Sequence, residues 1–191
     1  MNHYDTFTRL LHKGMALTVS AQILLSFFMQ HPKPNVTRDP LALELFEAHE
    51  WVGIAAALIV ALHVFYSLSS TGNASWRTLF PWLSREGRCS LLGEIQQAGS
   101  WLRNGLPHPD QSHTLASTIH GAGLLAVLFQ GLTGICLFLG MQENGAMSRG
   151  IHEVKEMHEM AGTFLIAYLV LHIAAAIWHQ RLGHDVISRI K

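Results

Sequence analysis

The stretch His158-Glu159-Met160-Ala161-Gly162, running on to His172-Ile173-Ala174-Ala175-Ala176, decides the fold. From Met160 to Gln180 it holds no acidic or basic residue other than histidine. That is the length a bilayer-spanning helix needs, about 20 residues. Its two histidines stand fourteen residues apart. At about 100° and ~1.5 Å per residue, fourteen steps return to nearly the same helix face, roughly 21 Å further along. One face of a membrane helix therefore carries two imidazoles, and ionisable groups in such a segment mark a functional site by default.

Working outward, three more apolar runs reach membrane-spanning length, at residues 14–30, 51–68 and 114–140. With flanking turns the expected helices cover about 11–30, 49–70, 114–140 and 157–180, within one membrane domain spanning 1–191. Only 14% of the 191 residues are charged, against roughly 25% in average soluble proteins. The first run lacks a small-residue cleavage site and is followed by Pro32 and Pro34, so it reads as a retained helix rather than a signal peptide. The prolines end that helix by removing donors and fixing the backbone. Net charge is zero, which leaves no basic footprint for nucleic acid. Cys89 and Cys136 are far apart in sequence, against a disulfide or a zinc site, and there is no Cys-x-x-Cys-His motif for covalent haem.

The connection at 71–112 mixes Trp76, Leu79, Phe80, Trp82, Leu91, Ile95 and Trp101 with Arg77, Arg85, Arg88 and Arg103. It is expected to form short amphipathic helices on the membrane surface. Nine of the thirteen lysines and arginines lie in the N-terminus, this long loop and the tail. The positive-inside rule places all three, and so both termini, in the cytoplasm. The opposite side is acidic, with Asp39, Glu44, Glu47, Glu50, Glu143, Glu153, Glu156 and Glu159.

Thirteen histidines equal the lysines and arginines in number. His49-Glu50-Trp51-Val52-Gly53, with His63 fourteen residues on, matches His158-Glu159-Met160-Ala161-Gly162 with His172, at an offset of 109. More faintly, His12 and Gln22 answer to His120 and Gln130 at an offset of 108. The pattern is that of a duplicated two-helix unit. In the expected topology His49 and His158 lie at the outer end, and His12, His63, His120 and His172 toward the inner side. Neutral imidazole is a good iron ligand, and a haem takes two axial ligands from facing helices. One haem would be held by His49 and His158, a second by His172 with either His12 or His63. Gly53 and Gly162, one turn below the outer pair, would let a flat macrocycle approach, and Gly14, Gly121 and Gly123 would do so on the inner side. His31, His108, His152, His179 and His184 read as ordinary interface residues.

The sequence resembles the four-helix, di-haem cytochrome b subunits of bacterial respiratory formate dehydrogenases and nickel-iron hydrogenases, and the related bacterial cytochrome b-561. The resemblance covers nearly the whole chain. Its carriers are Arg9-Leu10-Leu11-His12, His49 with Gly53, Leu132-Thr133-Gly134, His158 with His172, and Phe80-Pro81-Trp82-Leu83. It implies an all-α membrane protein, a four-helix haem-binding bundle in the bacterial inner membrane. It implies haem b held outside by His49 and His158 and inside by His12 and His172, which chooses His12 over His63. It also implies a respiratory-chain activity, passing electrons between quinone near the inner haem and a periplasmic dehydrogenase, iron-sulfur or cytochrome c subunit. His113 falls where a polar quinone contact is placed, changed in type. Arg9, Lys13 and Arg38 would pair with haem propionates. His63 and His120 exceed the four ligands, and the duplication makes them candidates for a third haem.

Three function classes follow. The first is an electron-transfer subunit whose catalytic partner is another protein docked on the acidic face. The second is a stand-alone cytochrome b-561-type quinol oxidoreductase. The third, a histidine-rich metal-ion transporter, requires a polar path through the bundle. Between Gly53 and Leu62 and between Gly162 and Leu171 the only polar residues are Thr163 and Tyr168.

Overall fold

The computed structural model describes residues 4–31, 33–34, 36, 39–69, 75–108 and 114–190, apart from the side chains at 102 and 104. Among these residues all regular structure is helical. In chain order the elements are α1 (Thr6–Phe28), α2 (Pro40–Ser69), α3 (Trp76–Leu79), a 3-10 turn at Pro81–Leu83, α4 (Arg85–Asn104), α5 (Thr114–Gly140), α6 (Arg149–Arg181) and a last 3-10 turn at Ile187–Arg189. The helices α1, α2, α5 and α6 are each long and apolar enough to cross a membrane.

Local chemistry explains where they start. Asp5 caps α1, its carboxylate accepting from the Thr8 N–H at 2.9 Å and the Thr8 hydroxyl at 2.7 Å. Pro40 opens α2 at a position where a missing N–H costs nothing. Both α2 and α6 begin more than two turns earlier than the apolar runs at 49–70 and 157–180 predict. The added turns carry Glu44 and Glu47 in α2 and Glu153 and Glu156 in α6, glutamate being a good helix former, and α6 adds i,i+4 pairs from Arg149 to Glu153 at 3.2 Å and from Lys155 to Glu159. Hydropathy locates the part of a helix that meets lipid, not the polar turns that extend it.

The long connection is mostly one helix, α4. Ser84 caps it by accepting from the Gly87 N–H at 2.9 Å. Glu94 on α4 then caps α5, its two oxygens accepting from the Thr114 and Leu115 N–H groups at 2.9 and 2.8 Å. A carboxylate at a helix N-terminus satisfies two orphan donors and complements the helix dipole.

The chain forms two compact units. One comprises Met1–His12, Leu62–Leu125 and Tyr168–Lys191; the other comprises Lys13–Ala61 and Ala126–Ala167. Among the described residues the buried apolar ones are few: Leu11, Val19, Ala42, Phe46, Ala56, Val60, Leu124 and Leu165. Large side chains point outward instead, with Leu139 at 77% and Leu17 at 74% exposure. A surface of that kind is out of place in water and suited to hydrocarbon.

Two glycines expected to admit a macrocycle have a different role. A Cβ on Gly121 would lie 2.0 Å from the Leu79 carbonyl oxygen, and one on Gly123 would lie 2.2 Å from the Tyr168 hydroxyl. Their missing side chains make room for the protein's own backbone and ring. Gly121→Ala should therefore destabilise the protein by about 1–3 kcal/mol through overpacking. Gly93→Ala, where nothing lies within 4 Å, should instead be neutral or stabilise by up to about 1 kcal/mol. Thermal unfolding of the two variants in detergent tests the contrast.

Candidate functional site

The unit containing Lys13–Ala61 and Ala126–Ala167 brings His49 of α2 and His158 of α6 together, ring centroids 6.5 Å apart and planes at 79°. Three side chains hold this pair. Thr133 of α5 places its hydroxyl 2.9 Å from His158 Nδ1. That hydroxyl is also 2.9 Å from the Phe129 carbonyl, to which it donates. It therefore accepts from His158 Nδ1–H, and the network leaves the Nε2 lone pair available to a ligand. Gln130 donates to the His158 carbonyl at 3.1 Å, and Gln22 of α1 donates to the His49 carbonyl at 2.5 Å. The His49 Nδ1 and the Oε1 atoms of both glutamines are buried without a hydrogen-bond partner.

The glutamines also account for Gly53 and Gly162. A Cβ at Gly53 would meet the Gln22 Nε2 at 2.8 Å, and one at Gly162 the Gln130 Nε2 at 3.3 Å. Each of these glycines, expected to face a macrocycle, has one of the amides beside it. Gly14 likewise faces Ile59 at 3.2 Å, and Gly134 faces the His158 ring at 3.3 Å.

The other unit gathers His12, His63, His120 and His172. His12 of α1 and His172 of α6 have ring centroids 6.5 Å apart with planes at 46°. Tyr168, one turn before His172, stacks on it at 5.7 Å and 15°. His120 of α5 meets His172 edge-on at 5.5 Å and 83°. His63 is 7% exposed, and its Nδ1 lies 3.3 Å from the Ser67 hydroxyl, which donates to the His63 carbonyl at 2.8 Å. Among the described residues no ring contact joins His63 to His120 or to His172.

The remaining sequence candidates are placed as follows. Arg9 donates to the Thr6 hydroxyl at 3.3 Å, and Lys13 is exposed on α1. Arg38 and His113 lie outside the described residues. His152 approaches Glu156 at 3.6 Å. His31 pairs with Glu159 at 3.1 Å, and Glu159 also meets Lys155. Burial, with Lys155 close by, pushes the His31 imidazole below its ordinary 6.5 despite Glu159. Cys89 and Cys136 are free and exposed.

Sequence reasoning missed the supporting side chains. Gln22 and Gln130 were visible as a matched pair of amides in apolar runs, but not as clasps on the histidine carbonyls. Thr133, Ser67 and Tyr168 gave no separable signal, since a hydroxyl in a membrane helix most often bonds to its own preceding turn.

Facing imidazoles within long, lipid-suited helices have the form of a b-type membrane cytochrome. The chain matches the family described as prokaryotic cytochrome b561 over residues 3–191, and it belongs to that family. Membership makes it a multi-pass prokaryotic membrane protein that binds b-type haem and transfers electrons across a membrane. No curated protein and no solved structure matches the chain.

Thr133→Val should leave His158 Nδ1–H buried without an acceptor and cost about 1–3 kcal/mol, with Thr133→Ser close to wild type by thermal unfolding. For His31 the sign is also set. The unfolded imidazole takes a proton at higher pH than the folded one, so stability falls as pH drops below about 6.5. His31→Gln should flatten that part of the stability–pH curve, and identical slopes in the two proteins would contradict it.

Proposed function

We propose that this cytochrome carries electrons across the bacterial inner membrane, between quinone and a redox partner on the other side, through two bis-histidine haem b groups. The ligands are His49 with His158 and His12 with His172. One observation carries the assignment: both pairs have ring centroids 6.5 Å apart. Two imidazoles bonded to one ion from opposite sides, with metal–nitrogen bonds of about 2.0–2.1 Å, have centroids about 6.3 Å apart. The His120–His172 distance of 5.5 Å is too short for that arrangement and suits an edge-to-face packing contact. The choice of His12 over His63 thus has a geometric support independent of the family resemblance. Among the described residues no ring contact joins His63 to His120, and the reading of two haems rests on the two pairs that do meet at 6.5 Å.

Haem b held by imidazole pairs supplies a one-electron iron couple whose potential follows its ligands, hydrogen bonds and burial. The chain's own residues do the rest. Thr133 holds the His158 tautomer that would leave Nε2 available to iron, as partners of ligating histidines generally do. Gln22 and Gln130 pin the backbone of the two ligands, and Tyr168 fixes the plane of His172 by stacking. Lysine and arginine counts support cytoplasmic termini and a cytoplasmic α4. The exposed carboxylates Glu143, Glu153 and Glu156 support docking of a separate dehydrogenase, iron-sulfur or cytochrome c partner on the opposite side. The quinone belongs with the His12–His172 group.

A metal-ion transporter has less support. It requires a polar path through the helices, and between Gly53 and Leu62 and between Gly162 and Leu171 only Thr163 and Tyr168 are polar.

The pyridine haemochrome assay tests the ligand set. Purified wild-type chain should contain two haems, and His49→Ala, His158→Ala, His12→Ala or His172→Ala should each remove one. His63→Ala and His120→Ala should keep both. Loss of a haem from His120→Ala, with both retained in His12→Ala, would overturn the second pair.

A further inference from the structure

The helix α6 does not simply fray at its end. Gly183 sits in the left-handed region at φ +81°, the His184 N–H donates to the His179 carbonyl at 3.0 Å, and the Gly183 N–H donates to the Gln180 carbonyl at 3.2 Å. These are the two bonds of a Schellman C-cap, which brings the side chains of its first and last residues into contact. Apolar residues usually fill those places. Here both are histidines, and their Nδ1 atoms stand 3.0 Å apart. His108, preceding α5, lies against His184 with ring centroids 4.7 Å apart.

We propose that the His179–His184 pair is a chelating site for a divalent first-row transition metal, separate from the haem ligands. Two nitrogens bound cis to one ion, with bonds of about 2.0–2.1 Å, lie about 2.9–3.4 Å apart for angles between square-planar and tetrahedral. The pair already has that separation. In the metal-free form the two rings share one N–H···N bond. On binding, the proton leaves Nδ1 and the ring takes its Nε2–H tautomer, so both Nδ1 lone pairs face the ion with no change in net charge. Imidazole donors favour nickel, copper or zinc over magnesium or calcium. Waters would complete the coordination shell, with His108 as the neighbouring imidazole. The turn is what makes the site: the cap fixes His184 over His179, and Gly183 is the residue whose backbone allows it.

The test is titration of the purified, haem-loaded, untagged full chain with Ni2+, followed by isothermal calorimetry. One equivalent should bind in the micromolar range. His184→Ala, which lies beyond the helix, should weaken binding about tenfold or more, as should Gly183→Val, which breaks the cap while keeping both imidazoles. His31→Ala should bind as wild type does. Haem content and the reduced spectrum should stay unchanged in all three variants, so the result does not depend on the haem assignment. Nickel affinity that survives His184→Ala, or no bound equivalent in the wild type, would overturn the proposal.

Discussion

An imidazole inside a hydrocarbon layer has two ring nitrogens and no water to bond with. Each nitrogen needs a partner from the protein or from a bound group, because an unsatisfied polar atom there costs several kcal/mol, of order 2–7. The arrangement of the interior follows from this. Thr133 takes one nitrogen of His158, Ser67 takes one of His63, and the His49 Nδ1 is left buried without a partner. The paired rings, His49 with His158 and His12 with His172, stand with centroids 6.5 Å apart. The small apolar core and the outward-facing leucines and phenylalanines belong to the same economy. With little to bury against itself, a membrane bundle relies on close helix contacts at small residues and on polar clasps such as Gln22 and Gln130.

Much of this was legible in the sequence. Four long apolar runs without interior proline are enough to place α1, α2, α5 and α6, and their fourteen-residue histidine spacing is enough to single out His49, His63, His158 and His172. The choice between His12 and His63 was not legible from spacing, because both fall at the same expected depth. It depends on which face of α1 and α2 turns inward, and neither helix has a strong amphipathic stripe to reveal it. What the glycines face was not legible for a related reason. A glycine in a membrane helix records that something approaches closely, without recording what. At Gly121 it is a carbonyl of α3, at Gly123 a tyrosine, and at Gly53 and Gly162 an amide.

The surface helix α4 shows the converse. Its amphipathic composition was plain, and a serine at the position of Ser84, which caps the helix, is a familiar start signal. That Glu94 would reach the start of α5 was invisible, since the two lie twenty residues apart and the contact depends on the path of the intervening chain. The same limit applies to the histidine pair at the end of α6. A glycine five residues after a tryptophan and just before a histidine suggests a helix stop, but not that the stop folds one imidazole over another.

The two segments matched at an offset of 109 differ around their second histidines. Four residues before its second histidine, the later copy carries Tyr168 where the earlier has Ile59; four residues after, the earlier carries Ser67 where the later has Ala176. The tyrosine braces His172 against its neighbour, while the serine occupies His63 and ties it to its own helix. An ancestral twin of identical hairpins would have offered equivalent positions on both sides of its symmetry axis. The two positions now differ by one residue each, a single turn from the ring it touches, so that one imidazole rests against a phenol ring and the other against a hydroxyl of its own helix.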